Sequence, residues 1–228
     1  MKLAQRAAIL VLLTVLTGCD DEPAERRAFT DFLQTHIVSR PGVHLMLMKP
    51  ETAKSFGRYA SHYQIILDFN SDLELTALER VAGLKNQIDD LADLASHRGE
   101  LTTLLKAIPG MIATVDGKIT KANAARAALR QPPDLNEVYD KAFDRLVARP
   151  GTLLAQMLRQ LDKSVGAMVG LADYVAENGK VIRIVGMDGT SIDPVVNTHL
   201  AELIQSLHQN DATVDNLKRQ FQALLSGT

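Results

Sequence analysis

From Leu101 onward the apolar residues return every three or four positions: Leu101, Leu105, Ile108, Ile112, Val115, Ile119 and Ala122. That spacing keeps one face of an α-helix apolar, whereas a strand, with its two-residue alternation, would scatter the same side chains over both faces. Leu84, Ile88, Leu91 and Ala95 step the same way just before, and Arg98-Gly99 separates the two runs. Pro109-Gly110 falls inside the second run, where a proline removes a ladder donor and crowds the preceding turn. A kink or split is expected there. Long helices with one apolar stripe must bury it against each other, which points to an antiparallel bundle.

Other segments repeat the period. Residues 25–38 put Phe29, Phe32, Leu33 and Ile37 on one side and stop before Arg40-Pro41-Gly42. A second helix should open near Pro50 and align Ala53, Phe56, Tyr59, Tyr63, Ile66 and Leu67. Pro132-Pro133 and a capping box of Asp134 with Glu137 should open another, reaching about Ala148, with Arg149-Pro150-Gly151 as punctuation. Leu154, Leu158, Leu161, Val165, Met168, Ala172 and Val175 form the next stripe, expected to end through a left-handed residue at Asn178-Gly179. Asp193-Pro194 should cap a helix to about Leu207, and Asn210-Asp211 should open a last one through Leu225. One run is strongly β-branched, Val181-Ile182-Arg183-Ile184-Val185, and with Asp188-Gly189 and Thr190-Ser191-Ile192 it reads as a hairpin at about 180–192. Aromatic residues make up 4% and Trp is absent, which favours aliphatic helix packing over a β-sandwich. The expected fold is all-α: an antiparallel bundle of long amphipathic helices with one small late hairpin, residues 25–228 forming a single domain.

The N-terminus has a different character. Lys2 and Arg6 precede an apolar stretch, residues 7–16, interrupted only by Thr14. This is the layout of a signal peptide, and at about ten residues it is half of what a membrane-spanning helix needs. Leu16-Thr17-Gly18-Cys19 follows and resembles the bacterial lipobox, in which a leucine and two small residues lead to a cysteine at the cleavage point. The thiol is what the chemistry requires, because its sulfur accepts the diacylglyceryl group and cleavage then exposes its amine. Residues 1–18 are therefore expected to be removed, leaving Cys19 acylated at the head of a polar tether, residues 19–24. Each buried acyl methylene contributes about 0.8 kcal/mol, so two or three chains would hold the protein firmly on a membrane. Cys19 is the only cysteine, which excludes an intramolecular disulfide. Asp20 and Asp21 resemble the sorting signal that keeps enterobacterial lipoproteins at the inner membrane; their bland reading is the start of a solvated tether.

Several stretches of the exported part look familiar: Arg27-Ala28-Phe29-Thr30-Asp31-Phe32-Leu33-Gln34, Asp134-Leu135 with Asp140 and Ala142-Phe143, and Asp173-Tyr174-Val175-Ala176 leading to Gly179. With the lipobox they resemble the family of bacterial lipoproteins called domain of unknown function 3053, the YiaF-like proteins. The resemblance spans nearly the whole mature chain and is weakest between Gly42 and Arg98. It implies a lipid-anchored helical domain and carries no catalytic, metal or cofactor residues across.

The residues that bear chemistry give little else. The run Asp116-Gly117-Lys118-Ile119-Thr120 after Gly110 has the wrong spacing for a phosphate loop and lacks a hydroxyl after the lysine. Asp89, Asp93 and His97 would form a row on a helix, better explained as a solvated acidic face than as a metal site. His36, His44, His62, His97, His199 and His208 show no zinc motif, and His199 should sit at a core edge. No serine stands in a nucleophile elbow. Lys118, Lys121, Arg126 and Arg130 give one helix a basic side, read as solvated or as a surface for anionic headgroups. His44-Leu45-Met46-Leu47-Met48 places apolar residues in a loop, where packing under the loop is favoured over a partner contact. Formal charge is −2, and loss of Lys2 and Arg6 with the leader makes it −4, no footprint for nucleic acid. The expectation is a noncatalytic lipoprotein facing the periplasm, favoured at the inner membrane, with membrane lipid through acylated Cys19 and an envelope protein as partners and no cofactor. The alternative is a ligand-binding or hydrolytic domain with a pocket between its helices.

Overall fold

A computed structural model describes residues 21–71, 81 and 83–228. Leu16, Thr17, Gly18, Cys19 and Asp20 lie outside the described residues. Helix α1 runs Glu22–Leu33 and opens where Pro23 and the acidic Glu22 and Glu25 suit a first turn. It begins three residues before the expected Glu25, so residues 22–24 belong to the folded body. A π-helical turn, Gln34–Val38, continues it without a break, and Phe29, Leu33 and Ile37 are buried. After an extended stretch, α2 spans Pro50–Phe56. Gly57, at φ +50, then turns the chain through a 3-10 segment, Gly57–Tyr59, into α3, Ala60–Asn70.

The apolar run from Leu84 to Ala95 is not one helix. It breaks after Lys85, and α4, Leu91–Ser96, starts afresh because the Asp90 carboxylate caps it, accepting from the Ala92 and Asp93 N–H groups at 2.8 Å. Helix α5 spans Arg98–Ala128 and is not split at Pro109. Pro109 and Gly110 lie on the exposed side, so the missing hydrogen bond falls where water can reach the carbonyl, while buried Leu104, Ile108 and Val115 hold both flanks in place.

Helix α6, Pro133–Phe143, opens one residue before Asp134, whose carboxylate makes no cap and instead lies 3.6 Å from Arg26. A second π turn, Asp144–Ala148, leads directly into α7, Arg149–Asn178. The punctuation expected at Arg149-Pro150-Gly151 is absent, for a physical reason. The π turn has already shifted the ladder, with Arg149 N–H donating to Asp144 O, so Pro150 sits in a first turn where its missing donor costs little. Gly151 leaves room for α3 and α5: a Cβ there would stand 2.9 Å from Phe69 and 3.0 Å from Ile119.

Gly179 ends α7 at φ −56, not in the left-handed region; Asn178 satisfies the Tyr174 carbonyl with its side chain at 3.0 Å. Strands β1, Ile182–Val185, and β2, Asp188–Ser191, pair antiparallel with Val185 opposite Asp188. The turn is therefore Gly186-Met187, with Gly186 at φ +59, and Asp188-Gly189 lies within β2. Helix α8, Pro194–Ser226, is capped by Asp193 and is unbroken at Asn210-Asp211. Those two residues serve the α7–α8 contact instead: Gln160 donates to Asn210 Oδ1 at 2.9 Å, and buried Ser164 donates to Asp211 at 2.7 Å, which also pairs with Lys85 at 2.8 Å.

The expected all-α bundle with one late hairpin is the observed architecture. Its interior is divided by residue type. An aromatic core gathers Phe29, Phe56, Tyr59, Tyr63, Phe69, Tyr139 and Phe143 from α1 to α3 and α6. An aliphatic core gathers Leu91, Leu94, Leu101, Ile108, Val165, Leu171 and Leu200 from α4, α5, α7 and α8. Val115, Leu154, Ala155 and Leu158 pack between α5 and α7 as a third cluster.

Candidate functional site

The two π turns face each other. Arg145, in the second, donates to the carbonyl of Ile37, in the first, at 2.8 Å, and also to the carbonyl of Arg40. Such turns leave carbonyls displaced from the helical ladder, and here one guanidinium uses them to fasten α1 to the α6–α7 junction. Gly42 completes the arrangement at φ +78: Val43 N–H donates to Leu225 O at 3.1 Å, and a Cβ on Gly42 would collide with that carbonyl. Between these parts lies an open cleft of about 670 Å³, lined by Val38, Lys141, Asp144, Arg145, Arg149 and the end of α8.

The cleft is basic, yet its cations are engaged. Arg149 pairs with Asp144 at 2.6 Å, Lys141 with Glu137 at 2.7 Å, and Arg145 with backbone carbonyls. An anionic ligand would have to displace those contacts. Chemically the arrangement is a brace joining three parts of the chain, and it pairs no nucleophile with a base.

The N-terminal end of α1 is the second feature. The Asp21 carbonyl accepts from Ala24 N–H at 3.0 Å and Glu25 N–H at 2.9 Å, while its side chain is exposed. Glu22 accepts from the Tyr59 hydroxyl and lies 3.7 Å from Arg26. Glu25 accepts from the Arg58 N–H at 3.2 Å and faces its guanidinium at 3.4 Å. Burial, aided by Glu22, pushes the Tyr59 hydroxyl up to about 12, so it remains a donor. Beside it burial holds His62 below its usual range, and Gln131 Nε2 lies 2.9 Å from His62 Nδ1. The first turn of α1, which begins three residues after Cys19, is thus fixed to the aromatic core.

The remaining sequence candidates are dispersed. Asp89 is not on a helix; its own N–H donates to the Asp93 carboxylate at 3.2 Å, and the His97 ring contacts the Asp93 carbonyl at 2.9 Å. Lys118 reaches the exposed carbonyls at the end of α3, at Asp68 and Ser71, and Arg126 pairs with Asp140 at 2.8 Å while lying over the Phe143 ring. Two members of the basic row are therefore structural, leaving Lys121 and Arg130 exposed. His199 is exposed rather than at a core edge, its ring edge-on to Tyr174 at 4.8 Å. Leu45, Met46 and Leu47 do not pack under their loop but are exposed. Sequence reading missed the π-turn brace, because a π turn is one inserted residue in an ordinary amphipathic pattern.

Among the described residues no helix is long and apolar enough to cross a membrane. The fold and its braced first helix define a helical-bundle domain with a late hairpin. Within that class the chain belongs to the family of proteins of unknown function called DUF3053, whose family model matches residues 7–222. It is 29% identical over 182 residues to the uncharacterized protein YiaF of Escherichia coli K12, covering 78% of this chain and 77% of that protein. The YiaF proteins of Escherichia coli O157:H7 and Shigella flexneri match to the same extent, at 29% identity. No solved structure matches the chain.

Proposed function

We propose that this protein is a lipoprotein held on the periplasmic side of a bacterial membrane by acylated Cys19, favoured at the inner membrane through Asp20 and Asp21, and that it works there by binding another envelope protein. The observation that carries the reading is Leu16-Thr17-Gly18-Cys19 behind a basic and apolar leader, with a folded helix beginning three residues later at Glu22. The partner surface is the open end of the hairpin, where Val181, Ile192 and Val195 are 45%, 98% and 78% exposed. Apolar residues gathered at such exposure suit a protein contact better than solvent.

Labelling cells with a clickable fatty acid tests the anchor. The wild-type protein should carry label in the inner-membrane fraction and Cys19→Ala should carry none; unlabelled wild-type protein would overturn the anchor. In-cell crosslinking tests the second half. A photoreactive residue at position 192 should capture one envelope protein repeatedly, with yield falling several-fold in Val195→Asp, and repeated capture of nothing would count against it.

A further inference from the structure

Residues 43–49 connect the first π turn to α2 without regular secondary structure. Loops here are ordinarily polar, yet Leu45, Met46 and Leu47 are exposed in succession, Leu47 by 82%. The strap is held this way. Met46 N–H donates to the Tyr63 hydroxyl at 3.3 Å, and that hydroxyl donates to the Met46 carbonyl at 2.8 Å. Val43 and Met48 pack on the aromatic core at either side, so the ends are pinned while the middle faces outward. Exposed Arg40, Lys49 and Lys54 flank it, with Glu51 the one acidic residue from 39 to 56.

Its position relative to the anchor follows from two tyrosines. Tyr59 holds Glu22 and Tyr63 holds Met46, and the two are four residues apart, about 6 Å of helical rise. The strap and the first turn of α1 therefore belong to the same end of the molecule. Cys19 precedes Asp21 by two residues, a reach of at most about 7 Å. An acylated cysteine leaves that end no room to move away from the lipid.

We propose that Leu45, Met46 and Leu47 form a second membrane contact, inserting their side chains among the lipid headgroups while the flanking cations meet anionic phosphates. The inference rests on the acyl-anchor reading. Two or three acyl chains already supply firm attachment, so the strap acts on orientation: it lays the aromatic end on the bilayer and leaves the hairpin, which packs on the aliphatic core, for a protein partner.

The test uses the full acylated chain in vesicles of phosphatidylethanolamine and phosphatidylglycerol. Acylation consumes the single native thiol, so Leu47→Cys offers a unique site for an environment-sensitive dye, with Ile192→Cys as the control. The dye at 47 should shift to the blue and be quenched several-fold more by nitroxides on the lipid chains than the dye at 192. Protein that floats with vesicles while both dyes report water overturns the strap and leaves the anchor standing. Blue-shifted dye at 47 only in native membranes, not in protein-free vesicles, assigns the strap to a protein and overturns the lipid contact. Protein with an unmodified Cys19 that fails to float overturns both.

Discussion

At the residue scale the clearest consequence is one of protonation. His62 is packed against Phe29, Tyr59 and Tyr139, and desolvation holds its imidazole below the usual 6.5. The unfolded chain takes up a proton near 6.5 and the native state only at lower pH, so the contribution is fully present above that value and is lost as pH falls through the window beneath it. The denaturation midpoint should drop from pH 7 to pH 5, and the drop should be smaller in His62→Gln; an unchanged slope would remove His62 as its source. The tyrosines act at the other extreme. Burial raises Tyr63 to about 12, so its share of stability is present below its usual 10.0 and is lost as pH climbs toward 12.

At the element scale, much of the fold was legible and the junctions were not. The three-and-four spacing of Leu154 to Val175 describes the buried face of α7, and the β-branched run at 181–185 marks the hairpin. Yet Pro109-Gly110, Arg149-Pro150-Gly151 and Asn210-Asp211, each a reasonable place for a helix to stop, all lie within or at the entry of continuous helices. Local preference costs at most a few kcal/mol, and a long apolar face buried on both sides of the defect outweighs it. The proposed acylation site stands in the sequence alone, as a linear motif ending at Cys19. The brace was not, since Arg145 meets Ile37 and Arg40 only after the chain has folded across more than a hundred residues. If α5 tolerates Pro109 at a cost, Pro109→Ala should stabilise the protein by about 1 to 3 kcal/mol, the proline's entropic benefit in the unfolded chain offsetting part of its helix penalty. Urea denaturation would measure it, and a destabilised variant would mean the proline ring itself packs usefully.

At the scale of the whole molecule the question is whether two cores of different composition make one folding unit. The aromatic core holds Tyr59, Tyr63 and Tyr139, three of the four tyrosines, and with no Trp in the chain it dominates intrinsic fluorescence. The fourth, Tyr174, packs on the aliphatic core and is removed optically by Tyr174→Phe, at the cost of a 3.3 Å hydrogen bond to Val196 O. Helix α5 contributes Leu101 and Ile108 to one core and Ala122 to the other. The unbroken run through α6, the second π turn and α7 does the same with Tyr139 and Phe143 at one end and Val165 and Leu171 at the other. To melt one core alone, both long helices would have to fray to the cluster of Val115, Leu154 and Leu158, stripping ladder hydrogen bonds with nothing to replace their tertiary support. Tyrosine fluorescence and far-ultraviolet circular dichroism should therefore give the same urea midpoint in Tyr174→Phe. Fluorescence that changes first would identify the middle cluster as a hinge, with the aromatic core able to loosen while the hairpin end stays folded. Under the proposed anchoring, with one end on lipid and the other on a partner, coupling the two cores would convert contact at the membrane into a defined orientation of the hairpin.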